Sequence, residues 1–416
     1  MTDFAELAAT ATSEMRALFD PTPLQRNDYL SNLYQADIYL KREDLSPVRS
    51  YKIRGAMNAM RKFRASNPDA SHFVCASAGN HAQGFAYACK HFGVSGEIYM
   101  PITTPQQKID KTRAFGGDTV SIRLTGDYFD QTLSAAQQYC KEAKAHFLSP
   151  FDDPDVIEGQ ASVGIEILDQ LERAPDMVIL PVGGGGLSAG ITSIFRTLGH
   201  DQTMFRFVEP AGGASLTEAL HAGTPVTLDH IDTFVDGAAV ARIGTHTFEA
   251  LKDYSAYSVL LAPEGRICGT MIRMLNVEGI VLEPAGALSI DVLDELASDI
   301  RGKTVVCVTS GGNFDFERLP EVKERAMRYE GLKKYFVLRM PQRPGALKDF
   351  LNLLGPDDDV ARFEYLKKSA RNFGSILIGI ETKRADAFTS LTQRLTEQGF
   401  AHRDITDDEV LSDVLI

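Results

Sequence analysis

The stretch MVILPVGGGGLSAGITSIFRTLG, residues 177–199, joins an apolar run to a helical pattern through four successive glycines. MVILPV predicts a buried strand, and LSAGITSIFRTLG has the spacing of a helix. The glycines leave their backbone N–H groups bare and permit positive φ angles, which is typical of an anion-binding turn. Because the helix N-terminus adds about half a positive charge, a phosphate group is the expected ligand, although a tight strand–helix turn would need the same glycines.

The same order of strand and helix recurs through most of the chain. Segments such as NHAQGFAYACKHFG (80–93) and TPQQKIDKTRAFGG (104–117) have helical spacing and end in glycine. This alternation indicates an α/β fold in which parallel sheets are wrapped by helices. The other predicted strands are DIYLK (37–41), HFVCAS (72–77), GEIYMP (96–101), TVSIRL (119–124), AHFLSP (145–150), FRFVEP (205–210) and KTVVCVTS (303–310).

Unusual loops follow four of these strands. In folds of this kind, ligands bind beyond the carboxyl ends of the parallel strands. Because four loops of unusual polar or glycine-rich sequence follow equivalent strand ends, we expect them to form one shared site. The loops are SPVRSYK after residue 41, AGNH after 77, GGGGLS after 182 and GGNF after 310.

The pattern changes near residue 330, which predicts a separate α+β domain over residues 331–416. Residues 1–325 would form the first and larger domain, with a smaller subdomain inserted at roughly 55–150. The predicted elements of the second domain are the strands KKYFVLRMP (333–341), ARFEYLKKS (361–369) and SILIGIET (375–382), and the helices RPGALKDFLNLLG (343–355) and ADAFTSLTQRLTEQG (385–399).

Composition and charge narrow the class of protein. The chain has 416 residues and a formal net charge of −13, which argues against a general nucleic-acid or anionic-membrane partner. Its five cysteines are widely spaced and form no C-x-x-C pair, so we expect buried thiols rather than disulfides or a zinc site. Neither a signal peptide nor a stretch of about 18 apolar residues is present, so we expect a cytoplasmic location.

Lys52 stands in SYKIRGA, at the start of a predicted helix. A lysine is usually solvated, but Tyr51, Ile53 and Ala56 give this one a partly apolar setting. Gly55 permits a close backbone approach. A desolvated lysine loses part of its preference for the charged form, so it can attack an aldehyde as an amine and later act as a base.

Two other strand ends carry candidate site residues. Asn80 lies in CASAGNHAQG (75–84), where its amide would either cap a helix or donate to a phenolate or carboxylate oxygen. His81 follows it, and a histidine beside a cap is more often structural than catalytic. Ser310 lies in TSGGN (309–313), either as a turn residue or because the flanking glycines admit something bulky.

The glycine run also has a dinucleotide interpretation. Gly184, Gly186 and Ala189 fit G-x-G-x-x-G/A, and Glu209 ends the next strand at a suitable distance to bind a ribose. This pattern would make the protein a nicotinamide-dependent dehydrogenase. The motif alone does not decide between a dinucleotide and a simple phosphate group.

Taken together, these stretches resemble the fold-type II pyridoxal 5'-phosphate enzymes, the tryptophan synthase β-like group, and within it the serine/threonine dehydratases. The C-terminal part resembles the ACT-like regulatory domain of biosynthetic threonine dehydratases, most clearly at MPQRPGAL (340–347). The stretches that carry the first resemblance are TPL (22–24), KREDLSPVRSYKIRGA (41–56), ASAGNHAQG (76–84), PFDDPDVIEGQ (150–160), PVGGGGLSAG (181–190), EPAGA (283–287) and TSGGN (309–313).

The resemblance implies a role for each matching residue. Lys52 would hold pyridoxal phosphate as a Schiff base and take the α-proton once the substrate has displaced it. Asn80 would bond the ring hydroxyl oxygen, and Ser310 would face the pyridine nitrogen. The cofactor phosphate would be bound by N–H groups of Gly183, Gly184, Gly185, Gly186 and Leu187. The substrate carboxylate would be bound by Ser77, Gly79 and the backbone of Asn80 and His81.

The implied activity is deamination of L-threonine, by β-elimination of water, to 2-oxobutanoate and ammonia, as the first step of isoleucine biosynthesis. Isoleucine or valine would bind the ACT-like domain of a homo-oligomer, a dimer or a tetramer, and isoleucine would inhibit. A serine-preferring dehydratase and a non-catalytic amino-acid sensor are the other functions weighed.

Two positions separate this chain from the related serine racemases. Those racemases carry a serine two residues before the asparagine, where this chain has Ala78, so the resemblance implies elimination rather than racemisation. They also bind a divalent cation near the position of Glu209. Here Glu209 is followed by PAGGAS without an aspartate, so no metal ion is expected. Ser310 is neutral, which should favour prompt elimination over a long-lived carbanion.

Overall fold

The computed structural model of the chain describes residues 4–366, 372–408 and 411. It divides into two compact units, residues 1–316 and 317–416. The first predicted domain ends at residue 325, inside the helix Leu319–Tyr329. In the structure the whole of this helix lies in the second unit. Each unit has its own core and is described separately below.

The first unit contains ten strands and thirteen helices among the described residues. Its strands are β1 (Leu24–Arg26), β2 (Asp37–Arg42), β3 (His72–Ala76), β4 (Ser95–Met100), β5 (Val120–Leu124), β6 (His146–Phe147), β7 (Met177–Pro181), β8 (Met204–Pro210), β9 (Val259–Ala262) and β10 (Thr304–Thr309). Its helices are α1 (Phe4–Arg16), α2 (Asp28–Tyr34), α3 (Lys52–Ser66), α4 (Asn80–Phe92), α5 (Gln106–Gly116), α6 (Phe129–Glu142), α7 (Pro154–Leu171), α8 (Gly186–Thr197), α9 (Ser215–Ala222), α10 (Thr245–Leu251), α11 (Glu264–Glu278), α12 (Pro284–Asp291) and α13 (Ala297–Ile300).

These strands form two sheets. The larger sheet has the order β1-β2-β10-β7-β8-β9 and is parallel except for β1, which pairs antiparallel with β2. The smaller sheet has the order β5-β4-β3-β6 and is parallel throughout. The prediction of an α/β fold with two parallel-sheet subdomains is therefore confirmed.

Burial explains why the sequences of the central strands are continuous apolar runs. Every residue of β7 and of β10 is buried, as expected for central strands covered on both faces by helices. In the smaller sheet, alternate side chains enter different clusters. Phe73 and Cys75 of β3 pack with α3 and α4, whereas Val74 and Ala76 pack with α6.

The second unit contains, among its described residues, one four-stranded antiparallel sheet and three helices. The sheet has the order β12-β13-β11-β14. Residues of α15 and α16, such as Phe350 and Leu391, pack with Ile376 and Ile378 of the sheet to form the core. The elements are α14 (Leu319–Tyr329), β11 (Lys333–Pro341), α15 (Ala346–Leu351), β12 (Asp359–Leu366), β13 (Phe373–Glu381), α16 (Ala387–Glu397) and β14 (Ala401–Asp404). Part of the strand predicted over 361–369 lies outside the described residues.

Three short strands were not predicted, and one predicted strand is much shorter than expected. The missed strands β1, β9 and β14 have three or four residues each and lie at sheet edges, where one side needs no apolar cover. The run AHFLSP (145–150) is extended only at His146–Phe147, because the chain then turns into the loop that leads to α7.

All five cysteines are buried. Within the described part of the chain, no helix combines the length and the apolar composition that crossing a membrane requires.

Candidate functional site

The marked loops meet at the carboxyl ends of the parallel strands. The N–H group of Tyr51 donates to the carbonyl oxygen of Ser310 at 3.2 Å, and Ser50 forms an antiparallel bridge with Gly311. A Cβ atom on Gly84 would lie 3.1 Å from the backbone of Lys52, so α4 packs directly against the start of α3. The loops after residues 41, 77 and 310 therefore converge, since Asn313 also donates to Asn80.

Lys52 is the first residue of α3, and its amine lies in an apolar, partly enclosed setting. Its Nζ donates to the carbonyl oxygen of Pro150 at 2.9 Å. The same nitrogen lies 5.3 Å from the ring centroid of Tyr51 and 5.9 Å from that of Phe151. Burial lowers the pKa of Lys52 to about 8, although the charge of Glu283 opposes this shift. A larger fraction of this amine is thus neutral near pH 7–8 than in an ordinary, solvated lysine.

The glycine loop is packed so closely that it admits no side chains. A Cβ atom on Gly184 would lie 2.2 Å from the ring of Phe151, and one on Gly183 would lie 2.9 Å from the backbone of Ala238. Gly185 has φ +87° and forms the N-cap of α8. The ring of Phe151 therefore lies close to both the loop and the amine of Lys52.

The loop fits the phosphate of a cofactor. Among the described residues, the N–H groups of residues 183–187 donate to no protein acceptor. The hydroxyl of Ser188, in the first turn of α8, is also buried without a hydrogen-bond partner. Unpaired donors at a helix N-terminus have the chemistry that an anionic group requires.

Asn80 takes part in a chain of side-chain hydrogen bonds. Its Nδ2 donates to Oε1 of Glu283 at 2.6 Å, and its Oδ1 accepts from Nδ2 of Asn313 at 2.7 Å. Nδ2 of Asn313 also donates to the carbonyl oxygen of Val48 at 2.9 Å. Asn80 begins α4 and is held by residues that lie more than 200 positions away along the chain.

Glu283 is a buried carboxyl group that the sequence analysis quoted within EPAGA but gave no role. It is the N-cap residue of α12 and only 6% exposed. Its pKa is raised to about 7, chiefly by burial and also by the negative charge of Asp236, against the opposing effects of the hydrogen bond from Asn80 and the charge of Lys108. The group therefore titrates in the neutral range.

Ser310 and Glu283 are tied together through the backbone. The hydroxyl of Ser310 donates to the carbonyl oxygen of Ala285 at 3.2 Å, and the N–H of Glu283 donates to that of Gly311 at 3.3 Å. A Cβ atom on Gly286 would lie 2.1 Å from the carbonyl oxygen of Gly311. The end of β10 and the first turn of α12 are thus in direct backbone contact.

The residues predicted to bind a carboxylate lie at the start of α4. The hydroxyl oxygen of Ser77 accepts from the N–H of Gly79 at 3.2 Å, so this N–H is already paired. Nε2 of His81 lies 3.1 Å from the carbonyl oxygen of Leu148. Burial and the charge of Lys52 lower the pKa of His81 to about 3. The imidazole is therefore neutral near pH 7 and acts as a structural donor.

Glu209 does not have the environment that a ribose-binding residue needs. Its Oε1 accepts from the N–H of Leu216 at 2.6 Å, and its Oε2 accepts from the N–H of Thr217 at 2.9 Å and from its hydroxyl at 2.8 Å. The side chain is fully buried and caps the N-terminus of α9. This arrangement argues against the dinucleotide interpretation.

Phe151 and Glu283 are site residues to which sequence reasoning gave no role. Both stand in stretches that carried the family resemblance, PFDDPDVIEGQ and EPAGA, and that signal could have found them. Their contacts to Gly184 and Asn80 connect segments far apart in the chain, which no local pattern reveals.

Comparison with known proteins finds relatives of both units. Residues 16–311 match the family described as pyridoxal-phosphate dependent enzyme, and residues 324–415 match the C-terminal regulatory domain of threonine dehydratase. The chain is 46% identical over 396 residues to the biosynthetic L-threonine dehydratase IlvA of Bacillus subtilis (strain 168), which covers 95% of this chain and 93% of that protein. It is 43% identical over 406 residues to the enzyme of the same name from Lactococcus lactis, covering 97% of each chain.

Two solved structures are also similar to this chain. The processed form of threonine deaminase isoform 2 from Solanum lycopersicum matches with a TM-score of 0.72 and 35% identity, over 78% of this chain and 94% of that one. A crystal structure of a serine racemase from Dictyostelium discoideum matches with a TM-score of 0.67 and 26% identity, over 76% of this chain and 100% of that one.

Proposed function

The chain belongs to the family of pyridoxal-phosphate dependent enzymes and carries the regulatory domain of threonine dehydratase, and we propose on this basis that it deaminates L-threonine to 2-oxobutanoate and ammonia. Its cofactor is pyridoxal 5'-phosphate, and the enzyme is a threonine ammonia-lyase. The observation that carries the proposal is the partly enclosed amine of Lys52, which lies 5.9 Å from the ring centroid of Phe151, while that ring packs against the loop of unpaired N–H groups.

The cofactor would be held at three points by this chain. The N–H groups of residues 183–187 would bind its phosphate, and the amide of Asn80 and the hydroxyl of Ser310 would contact its ring. The packing of Phe151 against Gly184 supports this assignment, because it fixes the loop in the conformation that presents its N–H groups. When bound, pyridoxal phosphate withdraws electrons from the α-carbon of an amino acid and so acidifies its α-proton.

Lys52 would move the protons of the reaction. Its lowered pKa favours the neutral amine, which can accept the α-proton of threonine. The rings of Tyr51 and Phe151 flank its Nζ and limit the access of water. Ala78 offers no second proton carrier near Asn80, which favours elimination of the β-hydroxyl over racemisation.

The start of α4 would bind the substrate carboxylate. The N–H groups in the first turn of a helix favour an anion, and the hydroxyl of Ser77 would rotate to donate rather than accept. Gly79 has no atom within 4 Å of a virtual Cβ, so there is space for a ligand beside it. His81, held by Leu148, would fix the position of this turn.

A direct experiment tests cofactor, substrate and reaction together. The purified protein should show the visible absorbance of bound pyridoxal phosphate, and addition of L-threonine should produce a 2-oxo acid and ammonia. The Lys52→Ala variant should lose both the band and the product. Lys90→Ala, which removes an exposed lysine of α4, should keep both. Full 2-oxo acid production by Lys52→Ala would contradict the proposed function.

The second unit would regulate the first. Its match to a threonine dehydratase regulatory domain supports allosteric control, and we assign isoleucine, or the related valine, as the effector. The turn at Gly345, which precedes α15 with φ +84°, is the proposed place of binding. The proposal also includes a homo-oligomer, dimer or tetramer, in the cytoplasm.

A further inference from the structure

We infer that Glu283 is a positioning residue, which orients the amide of Asn80 for the ring of the cofactor and adjusts its strength as a donor. This inference rests on the proposed function of the site. Glu283 would not touch the reacting atoms. It would act on the cofactor ring through Asn80, in addition to the effect of its charge on Lys52.

The orientation of Asn80 follows from the direction of its hydrogen bonds. The carbonyl oxygen of Val48 can only accept, so the atom of Asn313 beside it must be the donor Nδ2. The same Nδ2 donates to Asn80, which makes that atom of Asn80 Oδ1. Nδ2 of Asn80 must therefore point to the carboxyl group of Glu283. One of its two protons is used there, and the other is available for the ring hydroxyl oxygen.

The carboxyl group of Glu283 occupies space that the absent side chain of Gly311 leaves open. A Cβ atom on Gly311 would lie 2.2 Å from its Oε1, and one on Gly237 would lie 3.5 Å from the same atom. Its backbone is fixed as the N-cap of α12, where its carbonyl oxygen accepts from the N–H of Gly286 at 2.9 Å. The helix start and the hydrogen bonds from Asn80 and from the backbone N–H of Asn313 thus hold this acceptor in place.

The charge of Glu283 is balanced by groups from several elements. Asp236, in the segment between α9 and α10, opposes its ionisation, and Lys108 of α5 favours it. Lys108 itself pairs with Asp236, so these two charges largely offset one another. The other titratable groups that interact with Glu283 are Tyr51 and Lys52 around the start of α3, and Lys111 of α5.

The charge state of Glu283 should affect the amide beside it. An ionised carboxylate accepts a charge-assisted hydrogen bond and polarises the chain of bonds through Asn80 and Asn313, whereas the neutral acid accepts a weaker one. The second proton of Asn80 should respond to this change. Because burial places the titration near pH 7, the spectrum of the bound cofactor should change in that range.

The test compares holoenzymes by visible spectroscopy between pH 5.5 and 8.5. The wild type should show a shift of the cofactor band centred near pH 7. Glu283→Gln keeps the shape and an acceptor oxygen but cannot titrate, so the shift should disappear while the cofactor stays bound. Asn313→Ala removes the donor to Oδ1 of Asn80. This variant should keep the shift and weaken cofactor binding about tenfold, as expected for the loss of one buried hydrogen bond.

Glu209 provides the matched control. It is also a buried carboxyl group at a helix N-terminus whose pKa burial raises to about 7, but its partners are Leu216 and Thr217 rather than Asn80. Glu209→Gln should keep the spectral shift of the wild type. Loss of the shift in this control, or an unchanged shift in Glu283→Gln, would overturn the inference.

The inference about Glu283 and the proposed function can fail independently of each other. If the wild type binds pyridoxal phosphate but forms no 2-oxo acid from threonine, the proposed activity fails, and the spectral comparison still decides the role of Glu283. If threonine is deaminated and Glu283→Gln retains the shift, only the inference about Glu283 fails.

Discussion

Arg54 and Glu166 form a buried, bidentate ion pair. Nη1 of Arg54 lies 2.7 Å from Oε1 of Glu166, and Nη2 lies 2.8 Å from Oε2. Arg54 also donates from Nε and Nη2 to Glu43, at 2.8 Å and 2.9 Å. The guanidinium is fully buried and lies two residues after Lys52, on the first turn of α3. Because Glu166 belongs to α7, this pair fixes the helix that carries Lys52 to the helix that follows the loop of Phe151.

Replacing this arginine should destabilise the protein strongly. Arg54→Met leaves the carboxylates of Glu43 and Glu166 buried without their main cation, which typically costs about 3–5 kcal/mol. Denaturant unfolding followed by circular dichroism measures the loss. Arg26→Met, at an exposed ion pair with Asp37, is the control and should change little. Equal changes in the two variants would contradict the prediction.

Removal and return of the cofactor should reveal the pKa of Lys52. The neutral amine is the reactive form, and its fraction rises about tenfold per pH unit below the pKa and then levels off. With a pKa of about 8, the rate at which apoprotein recaptures pyridoxal phosphate should rise up to about pH 8 and then flatten. Stopped-flow absorbance between pH 6 and 9.5 records it, with Lys52→Ala as the blank. A rise that continues unchanged past pH 9 would indicate an ordinary lysine.

The glycine loop should respond to added methyl groups in a graded way. Gly184→Ala places a Cβ 2.2 Å from the ring of Phe151, whereas Gly186→Ala meets its nearest neighbour at 3.2 Å. The first change should weaken cofactor binding by about 1–3 kcal/mol, the usual cost of overpacking, and the second by less. Cofactor titration of both apoproteins measures the difference. The prediction fails if Gly186→Ala binds the cofactor more weakly than Gly184→Ala.

The proposed effector site should be sensitive at Gly345. Gly345→Ala forces a side chain into a backbone with φ +84°, which strains the turn before α15. The isoleucine concentration that halves threonine deamination should rise about tenfold or more, while the uninhibited rate stays the same. Gly399→Ala is the matched control, because it has φ +73° and open surroundings in the same unit. Equal sensitivity of the two variants to isoleucine would contradict this location.

Much of the fold could be predicted because long buried elements carry their own periodicity. β7, β10 and the strand of residues 333–341 lie where the apolar runs indicated, and glycines marked the ends of α4 and α5. The edge strands β1, β9 and β14 could not be predicted, because strands of three or four residues with one exposed side lack a distinct pattern.

The candidate site could be predicted in its parts but not in its connections. Lys52, Asn80, Ser310 and the glycine loop were identifiable, since each has an unusual residue at a strand end. Glu283 was not, because a glutamate before a proline and a helix also fits an ordinary N-cap. Its contact with Asn80 depends on how the start of α4 meets the residue before α12, which local sequence does not encode.

The close approach of Gly286 to Gly311 has a consequence for how such a site can diverge. Ser310 and Glu283 are spaced by main-chain contact, so a change near either residue must displace both or neither. The side of the pocket formed by β10 and α12 therefore offers few routes to a new substrate preference. At the start of α4, by contrast, a methyl group on Gly79 would meet no protein neighbour within 4 Å, so a change there is constrained by the ligand and not by the packing of the protein.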